Sequence, residues 1–429
     1  MRSLRACRAP WSVCGALGAL LAGVLALGAC SKPASKDLQA GSYRAVLTVP
    51  GGKQLPFGLD VAREEAGPVL YLINGEERVR VTEVEAAPGR LTARMPGYET
   101  TLTATISGGR LEGAVTLVHA GGLPLELPFE ATLGETWRFH EKPLSDNADV
   151  AGRWDATFGA EDAGQRVRGV MELAQRFELV TGTVIFPTAD QRYLEGEVRD
   201  EALRLSRFDG GAAVLYEARL DEKGRLVGEA WSDREGRRSF VAQRSPDATV
   251  EPIATQLRNP EAGIEFSFKD LDGRTVASSD PQFRDKVVLV TLEGSWCPNS
   301  HDHAKLLAEL DRRYRSRGLA VVSLMFEQHA DFERAAPAIR RFRAARGIEH
   351  PTLVAGRMEA SSATAALPQL DAVRAYPTTL FIDRTGRVRR IHTGFAGPAT
   401  GVRHELLVQD FEQTIEALLA EQLSGSDPS

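Results

Sequence analysis

The rhythm of the apolar residues changes once, near Glu251, and that change divides the chain. Before it, short runs such as Tyr43-Arg-Ala-Val-Leu-Thr-Val49 and Val69-Leu-Tyr-Leu-Ile73 are separated by Gly, Pro and Asn. This is the punctuation of antiparallel strands in a sandwich or small barrel. Two β-rich blocks, 41–138 and 150–244, follow the plan. Leu102 to Ile106, a Ser-Gly-Gly turn and Arg110-Leu-Glu-Gly-Ala-Val115 parallel Leu215 to Leu220, an Asp-Glu-Lys-Gly turn and Arg225-Leu-Val-Gly-Glu-Ala230. Gly152-Arg-Trp-Asp-Ala-Thr-Phe158 echoes Gly41-Ser-Tyr-Arg-Ala-Val-Leu47. The second block is therefore expected to repeat the first. Two copies at so long a period exclude a solenoid or propeller. Neither block carries a cysteine, a histidine cluster or a phosphate loop. His119 and His140 are expected to be isolated surface residues, and the blocks to be a spacer or docking platform, with a ligand-binding barrel as the alternative.

After Glu251 strands alternate with helices, which implies a mixed or parallel sheet over 251–429. Val287 to Leu292 is a continuous apolar run, as expected of a central strand buried on both faces. Ala304, Leu307, Leu310 and Tyr314 recur at helical spacing and are closed by Gly318. Leu319 to Phe326 reads as a second buried strand. Asp331 is placed to cap a helix that ends at Gly347 and that Pro337 should bend. Thr378 to Asp383 and Val388 to Ile391 form a hairpin, and His404 to Leu423 a last helix with Leu407, Phe411, Ile415 and Leu418 on one face.

The first of those strands leads into Gly294-Ser-Trp-Cys-Pro-Asn-Ser300 and then into the helix. Cys297 thus falls at a helix N-terminus, where unpaired amides and the dipole favour a thiolate. Cysteines so placed titrate at ~3.5–7.5 against ~8.5 when free, so an exposed, reactive Cys297 with a pKa below ~8 is expected. Pro298 suits the first helical position, which needs no N–H. These residues resemble the thioredoxin superfamily, and within it the TlpA-type thiol–disulfide oxidoreductases of bacterial envelopes. The likeness spans roughly 260–423. It rests on Trp296-Cys-Pro-Asn299, Tyr376-Pro-Thr-Thr379 before a strand, Asp383-x-x-Gly386 in the hairpin, and Ile391-His-Thr-Gly-Phe-Ala-Gly-Pro398. It implies a thioredoxin-like α/β domain, a cis Tyr376–Pro377 bond facing the cysteine, and a catalytic set of Cys297, Pro377, Ser300 and Trp296.

One departure from that family is chemical. Its members carry a second cysteine where this chain has Ser300, and that thiol resolves the mixed disulfide with an effective molarity of ~10⁵ M or more. Serine cannot, so release must come from a substrate thiol or an external one. The threonine that peroxiredoxins place three residues before the cysteine is Gly294 here, and the buried acid that thioredoxins place six residues before it is Thr291. Glu293 is expected to face solvent, with a proton-carrying role as the alternative. Ser300 is placed to hydrogen-bond the thiolate. Cys297, His301 and His303 invite comparison with a copper or zinc site, but only two lie on one helix face. No metal or cofactor is expected, and the histidines are assigned to the helix surface.

The N-terminus supplies an address. Arg2, Arg5 and Arg8 precede an uncharged stretch from Ala9 to Ser31 that ends in Leu27-Gly28-Ala29-Cys30. That arrangement is a signal peptide over 1–29, and its end resembles a bacterial lipobox, which implies a diacylated Cys30 and a short lipidated tether over 30–40. Ser31 after the cysteine implies sorting to the outer membrane. Of the four cysteines, Cys7 and Cys14 leave with the signal and Cys30 carries lipid, so Cys297 is the single free thiol in an oxidising compartment. Without the three leading arginines the net charge moves from −6 to −9, with no basic surplus for a nucleic-acid partner.

The expected function is thiol–disulfide exchange through Cys297 with exported proteins bearing thiols or disulfides: mixed-disulfide formation, isomerisation or deglutathionylation. A non-enzymatic thioredoxin-fold adaptor is the rival, and a copper carrier using Cys297 and His301 the third reading. One consequence is directly measurable. Cys30→Ala should release the protein from the membrane fraction and abolish fatty-acid labelling. A full-length variant that stays membrane-bound would replace the lipobox with an uncleaved anchor helix.

Overall fold

Strict alternation builds the first module. Along Thr101–Ser107 every second residue, Leu102, Ala104 and Ile106, is buried while its neighbours face out, the signature of a sheet with one apolar face. The computed structural model describes residues 35–142, 147–159, 166–329 and 331–421. The expected signal peptide over 1–29 and the expected lipidation site Cys30 lie outside the described residues. Gly41–Val49, the first strand, pairs on one side with Lys53–Glu64 and on the other with Leu123–Leu133. The resulting antiparallel sheet has nine strands. Its core includes Leu47, Leu55, Phe57, Leu91 and Phe129. The expected tether does not stay free over its whole length. Leu38 is buried in that core, and the carbonyls of Ser35 and Lys36 accept the amides of Gly108 and Gly89. One apolar side chain in a polar stretch is enough to seat it.

The second module closes. Its first strand, Gly152–Phe158, pairs with Val167–Arg176 and with the last, Gly236–Arg244, completing an eight-stranded antiparallel barrel. Side chains fill so small a barrel, here Trp154, Phe158, Tyr216 and Phe240, and the rings of the last three meet at 5.3–6.3 Å. Two local features recur between the modules. Tyr43 and Trp154, two residues after Gly41 and Gly152, each donate a side-chain hydrogen bond to the carbonyl four residues back. In the hairpins foreseen from sequence, Gly113 and Gly228 sit so close to the opposite strand that a Cβ would lie 2.0 and 2.1 Å from a carbonyl oxygen. Only glycine fits there.

The third module is a seven-stranded mixed sheet. Val287–Glu293 is central and fully buried, parallel to Leu319–Glu327 and antiparallel to Thr378–Ile382. Four helices flank the sheet: α1 (Pro298–Tyr314), α2 (Phe332–Arg346), α3 (Ala360–Ala366) and α4 (Val402–Ala420). Asp331 caps α2 by accepting the Arg334 amide, and Gly347 ends it at φ 64°. The anticipated α4 face of Leu407, Phe411, Ile415 and Leu418 is buried. Strand Thr352–Arg357 and α3 were not foreseen; neither has a long enough periodic run to announce itself. Among the described residues no helix is long and apolar enough to cross a membrane.

The three modules are bonded to one another. Phe208, Leu215 and Trp231 of the barrel complete the core of the first sheet. Tyr98 of the first module stacks on His301 of α1 at 3.9 Å, and Gly211 of the barrel lies against the other end of that ring, where a Cβ would come within 2.2 Å. At the junction Arg192 of the barrel pairs with Glu77 of the first sheet, with Asp209 of its own module at 3.3 Å and with Asp302 of α1 at 3.1 Å. All four side chains are at least nine-tenths buried. Burial opposes the charge on Arg192, but Asp302, Glu77 and Asp209 together raise its pKa well above the ordinary value.

Breaking a buried ion pair from one side leaves an uncompensated charge and costs about 3–5 kcal/mol. Arg192→Met should therefore destabilise the folded protein by about that amount in urea titration. A loss below about 1 kcal/mol, the scale of a surface pair, would show that the cluster does not hold the modules together.

Candidate active site

The central strand ends at Gly294, where the chain turns under the Trp296 ring. A Cβ there would come 2.2 Å from the indole nitrogen. That nitrogen donates to the Phe326 carbonyl at 2.8 Å, and Ser295 donates from its amide and hydroxyl to Glu327 at 2.9 and 2.6 Å. The end of the neighbouring strand thus fixes the turn that presents Cys297. Cys297 is the residue before α1, with extended backbone (φ −90°, ψ 118°) and Pro298 at the first helical position. Its Sγ lies 3.4 Å from the carbonyl oxygen of Tyr376, and the Tyr376–Pro377 bond is cis. Trp296 meets the Tyr376 ring edge-on at 5.7 Å. The four residues expected at the site, Trp296, Cys297, Ser300 and Pro377, are therefore grouped on two adjacent segments.

The thiol's environment differs from the expectation. Cys297 is 8% exposed. Burial pushes its pKa above the ordinary 9.0, against the downward pull of the Ser300 amide and hydroxyl, the Arg234 guanidinium and the Asn299 amide. The helix N-terminus acts as anticipated, but a covering that the motif does not encode outweighs it. Ser300 is fully buried, and its hydroxyl also accepts the Gly294 amide at 3.4 Å.

Glu293 faces the interior, not solvent. Its carboxylate accepts from His303 at 2.7 Å and from Ser323 at 2.9 Å. Ser323 continues to His350 at 3.0 Å, and Thr379 meets the far nitrogen of His303 at 2.9 Å. The helix that carries His301 and His303 is covered, so both rings are buried rather than on its surface. His301 contacts the Ser295 carbonyl through Nε2 at 2.7 Å and the Arg346 Nε–H through Nδ1 at 2.8 Å. Burial and Arg346 hold it neutral, well below its usual pKa. With both nitrogens occupied, His301 offers no lone pair to a copper ion beside Cys297, and the copper-carrier reading loses its second ligand. Among the described residues no group of three or more His, Cys, Asp or Glu side chains is arranged to hold a metal. His119 and His140 are half-buried rather than isolated: they pair with Asp233 and Glu197 of the barrel at 3.2 and 3.1 Å.

Residues 261–391 match the AhpC/TSA family. The domain is thioredoxin-like, and its family match covers the central strand, the cysteine turn and the Tyr376–Pro377 segment. A probable glutathione peroxidase 8 from Arabidopsis thaliana is 33% identical over 76 residues, 18% of this chain and 44% of that protein. The chain thus spans less than half of the curated relative it matches. Two solved structures align over 38% of this chain. One is a putative thiol:disulfide interchange protein DsbE from Chlorobium tepidum, with 22% identity, 99% of that chain covered and a TM-score of 0.30. The other is a putative protein disulfide isomerase from Bacteroides thetaiotaomicron, with 16% identity, 94% covered and a TM-score of 0.30.

Several residues at the site were not singled out from sequence. Arg234, from a barrel hairpin, lies over the Trp296 ring at 4.9 Å and donates to the Trp296 carbonyl at 2.7 Å. Asp190 and Arg192 reach Asn299 and the Pro298 carbonyl. Nothing in local spacing brings residues a hundred positions apart together. Glu327, like Glu293, is an acid at the end of an apolar strand, and that position alone does not announce its burial. Burial raises its pKa to about 7 against the two hydrogen bonds from Ser295.

The raised thiol pKa fixes a pH dependence. A group with its pKa above 9.0 is almost wholly protonated at neutral pH, so alkylation of native Cys297 should still be accelerating above pH 9, while in denaturant it follows an ordinary thiol near 8.5. A native profile that levels off below pH 8 would restore the exposed thiolate.

Proposed function

We propose that this chain is an envelope lipoprotein whose thioredoxin-like domain carries out thiol–disulfide exchange through the single nucleophile Cys297. The supporting observation is the contact of the Cys297 sulfur with the Tyr376 carbonyl beside cis-Pro377, which sets the thiol against the 376–378 segment. Trp296, Cys297 and Pro377 match the TlpA-type motif residue by residue, and Ser300 stands in the resolving position. The two β modules are read as copies of one unit: each pairs its first strand with its last, and the Tyr43/Trp154 and Gly113/Gly228 features coincide. Acylated Cys30 would anchor the protein at the periplasmic face of the outer membrane.

The chemistry balances without a cofactor. The Cys297 thiolate attacks R–S–S–R, forms Cys297–S–S–R and expels RS⁻. A second thiolate R′S⁻ then attacks, yields R–S–S–R′ and returns the Cys297 thiolate. No net oxidation occurs, as a monothiol requires. A second reading, the adaptor, is favoured by one observation: a buried, protonated thiol is a poor nucleophile.

Ser300→Cys separates the two. Oxygen is exchanged for sulfur at a buried position one helical turn from Cys297, so the introduced thiol is placed to resolve the adduct. Wild type should accumulate a persistent mixed disulfide with 2-hydroxyethyl disulfide, while the variant should clear it and turn over with dithiothreitol. A variant that forms its internal disulfide yet stays inactive would favour the adaptor.

A further inference from the structure

The segments on either side of Cys297 are bonded to the barrel. The barrel loop between strands Leu179–Ile185 and Leu194–Arg199 reaches across to the thioredoxin-like domain. The Thr188 carbonyl accepts the Phe395 amide at 3.3 Å, and the Asp190 carboxylate accepts the Gly397 amide at 2.6 Å and the Asn299 side-chain amide at 3.0 Å. Arg192 donates to the Pro298 carbonyl at 2.9 Å. From the other side of the barrel mouth Arg234 covers Trp296 and is itself anchored to the Gly211 carbonyl at 3.2 Å. The fit is close enough to demand glycine: a Cβ on Gly394 would lie 2.3 Å from the Thr188 oxygen.

The covering loop is preorganised. Phe186 donates to the Ala189 carbonyl at 2.8 Å, Gln191 to Val184 at 2.9 Å, and the Arg192 amide to Asp190 at 2.7 Å. Asp190 and Arg192 are 5% and 6% exposed, and Arg192 is held by carboxylates from all three modules. Uncapping Cys297 therefore means breaking charge-assisted hydrogen bonds and opening the buried ion cluster, a sub-global event with a small equilibrium population. Cys297 keeps 8% of its surface exposed, and its sulfur lies 3.4 Å from the Tyr376 carbonyl. A molecule with a few heavy atoms needs far less of that surface than a polypeptide loop, which has the barrel in its place.

We propose that the β-barrel module is a fixed cap that restricts Cys297 to low-molecular-weight disulfides and thiols and excludes disulfides of folded proteins. The proposal rests on Cys297 being an exchange nucleophile and names its substrate class. It runs against the exported-protein clients that the family resemblance implies, because the surface such clients would use is bonded to the protein's own barrel. The exchange is that written above, with R and R′ both small, so the external thiol supplies the step for which Ser300 has no sulfur.

The test uses the full chain and two probes, 2-hydroxyethyl disulfide and scrambled ribonuclease, with an unstructured cysteine peptide as the reference thiol. Relative to that peptide, wild type should discriminate against the protein disulfide by about a hundredfold or more, because only the uncapped fraction reacts with it. Asp190→Ala removes two bonds across the seam and should cut the discrimination about tenfold. The amides of Phe395 and Gly397 should then exchange hydrogen faster, which reports the cap even if the variant is less stable. Equal rates of wild type with both probes, or unchanged discrimination in Asp190→Ala when those amides have become labile, overturns the cap. No reaction of native wild type with the small disulfide at any pH instead overturns the exchange function on which the cap depends.

Discussion

One guanidinium holds the molecule in its working shape. Arg192 brings Glu77, Asp209 and Asp302 from three modules to a point from which water is excluded. Desolvating four charges is expensive, and the attraction among them roughly offsets the cost only when every partner is in place. The cluster therefore contributes little net stability but much to uniqueness of arrangement, since a displaced module would strand a carboxylate in the interior. Glu77 shows the tension: burial raises its pKa although Arg192 pulls it down. Asp209 is buried too, yet Arg207, Arg192 and the amides of Gly211 and Ala212 bring it below its usual value. Arg192 itself takes up φ 54° to reach all three, a backbone conformation uncommon for a side chain that is not glycine.

The state of the thiol follows from that assembly. A helix N-terminus contributes about 0.3–1 kcal/mol to a nearby anion, and up to about 2 in a partly buried geometry. Removal from solvent shifts a fully buried group by up to 3–5 pKa units at about 1.36 kcal/mol each. Where the barrel seals the helix start, the larger effect decides. The same cysteine on an uncovered domain would keep the helix contribution and lose the penalty. The chemistry of residues 294–300 is thus set by residues near 190 and 234 as much as by its own motif.

This is also where the sequence stops being readable. Strand 287–293, helix α1 with its cysteine, the caps at Asp331 and Gly347, and the four-residue face of α4 were legible because each rests on spacing within a dozen residues. The hairpins with Gly113 and Gly228 were legible for the same reason. Glu293 was misplaced because a single acid at the end of an apolar strand carries no sign of the His303 and Ser323 partners that make its burial tolerable. Leu38 was overlooked in a polar stretch. His301 and His303 were assigned to the surface because helical periodicity marks a buried face only when the buried residues are apolar, and here the first turn of α1 is buried while polar from Asn299 to His303. Contacts across a seam between modules have no period, and Cys297 and His301 lie on such a seam, whereas Glu293 and His303 are buried by partners within the third module itself.

Serine at position 300 fits this setting in physical terms. A resolving thiol matters most when the partner is a polypeptide whose mixed disulfide would otherwise persist, because intramolecular attack frees the enzyme from a slow leaving partner. With a small partner, an external thiol can carry out that step in its place. The Ser300 hydroxyl stays neutral at every physiological pH, accepts the Gly294 amide and still pulls the Cys297 pKa downward. It keeps the hydrogen-bonding part of the second position and drops the redox part. For a nucleophile reached only by small thiols, which diffuse in as readily as they leave, that part of the motif is the dispensable one.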